Sequence, residues 1–139
     1  MMRLLLLSCL ILFYSCKKVE EESSKEYDLY QYSEMALYMH SIYDMHTQIR
    51  EKIVAGEELP ELPSSLENIH TAEMSGLFER TESFEAFSRM YLQQVTFIYD
   101  TITDTSVKDR YNNAITACVA CHQTTCLGPI PKIKKLLIN

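Results

Sequence analysis

Along most of this chain the apolar positions recur three and four apart, the interval that lines one face of an α-helix. Met35, Tyr38, Met39, Ile42, Met45, His46, Ile49 and Ile53 form the first such stripe and predict a helix from Leu29 to Ala55. Gly56 can close that helix in the left-handed conformation, and Pro60 and Pro63 bar its continuation. A shorter helix is expected from Ser64 or Ser65, with Leu66, Ile69, His70 and Met74 turned inward and a break near Gly76. A third opens around Ser83, where Glu82 and Glu85 suit the N-terminal dipole, and its stripe reads Phe84, Phe87, Tyr91, Val95, Ile98, Ile102. After a tight connection from Asp104 to Ser106, the fourth shows Tyr111, Ala114, Ile115, Cys118, Cys121 and His122 on its buried edge. Gly128, Pro129, Ile130 and Pro131 then break the pattern ahead of a tail that ends at Asn139. Four amphipathic helices with short loops predict an all-α fold, an antiparallel four-helix bundle.

The first residues, MMRLLLLSCLILFYSC, combine one basic residue with an unbroken apolar run, the layout of an export signal. The run from Leu4 to Tyr14 falls short of the roughly 20 residues of a membrane-spanning helix, so residues 1–15 are expected to be cleaved and Cys9 to leave with them. The residues before Cys16 resemble a bacterial lipoprotein processing site, with Tyr14 standing where a small residue is usual. That resemblance implies lipidation of Cys16; secretion without it is the alternative. Lys17, Lys18, Glu20, Glu21, Glu22, Ser23 and Ser24 make a polar tether over 16–28, which leaves 29–139 as the folded domain. The expected location is the bacterial cell envelope, held by a lipid anchor and facing the periplasm or the outer surface.

With 139 residues the chain has room for about one domain, and 47% apolar residues suffice for its core. Only 3 Gly and 4 Pro interrupt it, which favours helices over sheet. Loss of Arg3 with the signal leaves 12 basic against 19 acidic residues, a balance of −7 that argues against nucleic-acid binding and would steer a basic redox partner.

The chemistry concentrates in Cys118, Val119, Ala120, Cys121, His122. Two thiols one helical turn apart project from one edge and can bond to the two vinyl groups of a porphyrin. The next residue, His122, can then present its imidazole to the iron. The expected cofactor is a single covalent haem c on the C-terminal helix, with Cys118 and Cys121 as thioethers, His122 as proximal ligand and the tail folded back over the haem edge. The rival readings are buried thiols or a disulfide beside a core histidine, and a zinc site built from Cys118, Cys121, His122 and Cys126. Zinc sites usually clip separate segments together, whereas these four residues lie in one.

A helical chain with this motif near its C-terminus resembles the class II cytochromes c, the cytochrome c prime type of four-helix bundle, over roughly residues 29–126. The Tyr-Arg pair that often follows the motif is absent, and Gln123, Thr124, Thr125, Cys126 stand there, as in a divergent lipoprotein branch of small bacterial cytochromes. No Met follows His122, so a sixth ligand has to come from upstream, and the resemblance implies the first helix. Met39 is the favoured distal ligand and Met35 the second; His46 shares their stripe and would give a bis-imidazole site. His40 is rotated about 100° from that stripe and is expected to face water, and His70 to act as a helix-face hydrogen bonder. Cys126 is read first as an unpaired buried thiol.

Three functions fit these residues. The leading one is an electron carrier that transforms no substrate. A gas-binding protein with five-coordinate iron is second. A peroxidase, whose distal group would come from His40, His46 or Arg50, is third. The resemblance also implies a homodimer through the first helices.

Overall fold

The computed structural model describes residues 31–139 apart from position 77; the export signal, the tether, Cys9, Cys16 and the expected helix start at Leu29 lie outside them. All regular structure among the described residues is helical: α1 Glu34–Ala55, a 3-10 helix Ser64–His70, α2 Glu82–Ile98, α3 Val107–Thr125, α4 Ile130–Ile133 and a closing 3-10 turn Lys134–Leu136. None of these helices is long and apolar enough to cross a membrane.

Each long helix starts where a hydroxyl can take an orphan backbone N–H. Ser33 accepts from Ala36 at 3.2 Å, Thr81 from Phe84 at 3.1 Å and Ser106 from Asp109 at 3.1 Å. Gly56 ends α1 at φ 68°, where a side chain would be strained, and its N–H reaches back to Ile53.

The second expected helix is instead a 3-10 segment, and its backbone explains the difference. A 3-10 turn and its flanks leave carbonyls without helical partners. Here long side chains from other elements supply the donors. The Tyr38 hydroxyl donates to the Leu66 carbonyl at 2.6 Å and the Tyr99 hydroxyl to Pro60 at 2.7 Å, while Arg80 donates to Ile69 and Ala72 at 2.9 and 2.7 Å. Ile69 is buried as expected, whereas Leu66, His70 and Met74 are only partly covered.

These bonds also fix the path of the chain. Pro60, just beyond α1, meets Tyr99 at the end of α2, and Glu73, just before α2, accepts from the Met35 N–H at the start of α1 at 2.9 Å. The 3-10 segment therefore runs back alongside α1, α2 rises parallel to α1, and α3 descends after residues 99–106. Three long helices and one 3-10 strut thus alternate in direction, and α2 and α3 share the largest interface. The tail folds back along α3, where Asn112 donates to the Ile138 carbonyl and accepts its N–H, both at 2.9 Å.

Ile49, Phe84, Tyr91, Val95, Ile98, Tyr111, Ala114 and Ile115 fill the centre. Ile102, expected on the stripe of α2, is 93% exposed because that helix stops at Ile98. Ile49 has no exposed surface, so Ile49→Ala leaves a cavity and should lower unfolding stability by about 2–5 kcal/mol in a urea titration.

Candidate functional site

A cavity of about 490 Å³ opens between the first half of α1, the last turns of α3, the loop around Phe78 and the tail. Its walls are mostly apolar, from Met35, Met39, Ile42, Phe84, Ile133 and Leu136, and its volume falls within the roughly 300–1,000 Å³ of cofactor clefts. Cys118, Cys121 and His122 form the wall that α3 contributes. A smaller space of about 30 Å³ adjoins it, bordered by Ser88 and Tyr91 of α2. Met39, Ile42, Cys118, Cys121 and His122 border both, so the motif and Met39 stand at their junction.

The register follows from the sequence. Tyr111 of α3 donates its hydroxyl to the backbone carbonyl of His46 of α1 at 3.0 Å. Seven residues further along α3 comes Cys118, and seven residues back along the antiparallel α1 comes Met39. At 1.5 Å per residue both steps cover about 10 Å, which brings Met39 to the height of the motif. His46 stays two turns deeper, and Met35 lies one turn from Met39 in the opposite direction.

His122 has a fixed tautomer. Its Nδ1 lies 3.0 Å from the Cys126 carbonyl, an atom that only accepts, so Nδ1 carries the proton and the Nε2 lone pair is left for a metal. Ligand histidines are commonly held in this way. Cys126 can do so because the helix ends there: its backbone is extended, at φ −146° and ψ 97°, and its N–H bonds the His122 carbonyl.

Cys118, Cys121 and Cys126 form no disulfide. Burial pushes the Cys118 thiol up to about 12 and raises Cys121 as well, so both stand as neutral thiols. Among the described residues no three His, Cys, Asp or Glu side chains converge to hold a metal ion, so Cys118, Cys121, His122 and Cys126 are not gathered into a tetrahedral set. A porphyrin iron needs only one or two protein ligands.

His46 is 1% exposed, and its Nε2 lies 2.9 Å from the Tyr91 hydroxyl while Nδ1 has no hydrogen-bond partner. Burial lowers it to about 4, so the ring is neutral. His40 is exposed as expected, stacks edge-on against Tyr32 at 5.1 Å and also borders the cavity. His70 lies outside the cavity, 3.2 Å from Glu85, as a surface hydrogen bonder. Arg50 does not border the cavity either. The tail contributes Pro129, Lys132, Ile133 and Leu136 to the walls, and of these only Lys132 carries a charge.

No protein-family model, curated protein or solved structure matches the chain.

The buried His46 makes stability depend on acid. Its folded value of about 4 lies below the ordinary 6.5, so the unfolded chain binds the proton first; the full contribution is present above pH 6.5 and is lost as the pH falls towards 4. The loss is expected to approach roughly 3 kcal/mol. Denaturant titrations of wild type and His46→Gln between those limits check it, the variant giving the flatter profile.

Proposed function

We propose that this chain is a monohaem c-type cytochrome that carries single electrons in the bacterial cell envelope, a divergent member of the class II type. The observation that carries the reading is the state of His122. Its Nδ1 proton is committed to the Cys126 carbonyl and its Nε2 is left free, on a cavity wall that also bears the two Cys118 and Cys121 sulfurs. Three long helices with a 3-10 strut between the first two support the reading.

The residues fit a covalent haem. Cys118 and Cys121 sit one helical turn apart on the same wall and would each add across a vinyl group. His122 would hold the iron from the α3 side, and Met39, level with the motif on the facing helix, would hold it from the other; Met35 is the second choice. His46 lies too deep for that role, and its Nε2 is taken by Tyr91. The bound group supplies a one-electron couple. The polypeptide excludes water through its apolar walls and raises the potential by burial and thioether ligation. No substrate is transformed, and the partners are other redox proteins. Export and a lipid on Cys16 rest on the N-terminal sequence, and a homodimer on the resemblance alone.

Expression of the full chain in a host that matures c-type cytochromes tests this directly. Intact mass and a pyridine haemochrome should report one haem, and Cys118→Ala with Cys121→Ala should abolish the covalent mass. The reduced spectrum should be low-spin and indifferent to carbon monoxide, and Met39→Ala should turn it high-spin and responsive to the gas. A wild-type chain that is already high-spin and binds carbon monoxide would make this a gas-binding protein. Colourless protein with no tetrapyrrole mass ends the haem reading altogether.

A further inference from the structure

We infer that Lys132 is the carboxylate-binding group of the cavity: its ammonium, held over the Tyr43 ring at the cavity mouth, pairs with a carboxylate of the porphyrin. This rests on the haem reading and adds to it the residue that receives the cofactor's charged end.

The cavity has walls of uncommon electrostatic simplicity. Among the described residues that line it there is no Asp, Glu or Arg, and Lys132 is its one permanent charge. The ammonium lies 4.2 Å from the Tyr43 ring centroid, so it is held against the wall by its attraction to the ring face. It forms no ion pair with any described carboxylate. The chain as a whole carries −6, so a fixed cation at the mouth of an apolar cleft is a local reversal of the prevailing charge.

The direction of a bound porphyrin follows from its own chemistry. The two vinyl groups that take the sulfurs stand on adjacent pyrroles, and the two carboxylates stand on the other pair. Bonds to Cys118 and Cys121 therefore aim the carboxylates away from the thioether edge. On the protein, Cys118 and Cys121 border both the large cavity and the small space beside Ser88 and Tyr91 of α2, whereas Tyr43 and Lys132 border the large cavity only. With the thioether edge set against the small space, the carboxylate edge lies in the large cavity, which the ammonium borders. An anion brought against apolar walls needs a partner, and Lys132 is the one permanently charged group among the described residues that line the cavity.

A zero-length cross-link on the matured full-length protein tests the contact. A water-soluble carbodiimide activates a carboxylate; an amine within reach displaces it to form an amide, and the carbodiimide takes up the water as a urea. The expected product joins Lys132 Nζ to the haem, read by mass spectrometry as the loss of one water from the haem-bearing peptide and a blocked tryptic cleavage after Lys132. The product should vanish in Lys132→Met and persist in Lys134→Met. Haem-bearing wild-type protein that gives no such product, or that links only through Lys134 or Lys135, overturns the assignment and leaves the cytochrome reading intact. Protein without haem removes both. Because the unmutated chain gives the primary result, poor folding of a variant does not decide the outcome.

Discussion

The three long helices are locked to one another by a single buried polar chain. The Tyr111 hydroxyl of α3 donates to the backbone carbonyl of His46 on α1, and the His46 ring in turn meets the Tyr91 hydroxyl on α2. The helical carbonyl keeps a second lone pair after its own helix bond, so the tyrosine adds a contact without removing one. The two tyrosine rings also pack edge-on against the imidazole, each at 5.8 Å between centroids. Such a bond contributes only about 1 kcal/mol net, but inside a dry core the cost of leaving any of these groups unpaired is larger, so the chain specifies register more than it adds stability.

Register is what the candidate site needs. With Tyr111 seated at His46, equal steps along antiparallel helices set Cys118 opposite Met39. A slip of one residue on α1 would turn Met39 by about 100° away from the motif. The same deep anchor explains why His46, though on the stripe that carries Met39, serves the interior: it is the knot that places the methionine. The strut between α1 and α2 is held by the same device, hydroxyl and guanidinium donors reaching carbonyls that no helix satisfies.

Much of this was legible in the sequence, for reasons that can be named. The end of α1 announced itself through Gly56 and the start of α3 through Ser106, because capping is local chemistry, whereas the caps Ser33 and Thr81 were passed over and the helices they open were expected from Leu29 and Ser83. The face of each helix was legible because burial follows the 3.6-residue period, and that same period carried Met39 and the Cys118, Cys121, His122 wall into one cavity. The 3-10 strut was not legible, since its stability comes from Tyr38, Tyr99 and Arg80, donors distant in sequence whose reach no local pattern encodes. Lys132 was missed for a related reason: in sequence it is one of several tail lysines, and only the return of the tail along α3 brings it to Tyr43.

Cys126 shows how the two levels can diverge. As a side chain it invited readings as a zinc ligand or an unpaired buried thiol, yet its evident contribution is made by its backbone. The extended conformation at the end of α3 turns its carbonyl back onto His122 Nδ1, while its N–H closes the last helical turn. Any residue able to adopt that conformation could orient the imidazole equally well, so the geometry at the site depends on where α3 stops rather than on the third sulfur. The Gly128 and Pro129 turn that follows, by sending the tail back across the cavity, serves the same end: a helix that ran on would carry the Cys126 carbonyl away from the ring and remove Lys132 and Ile133 from the walls.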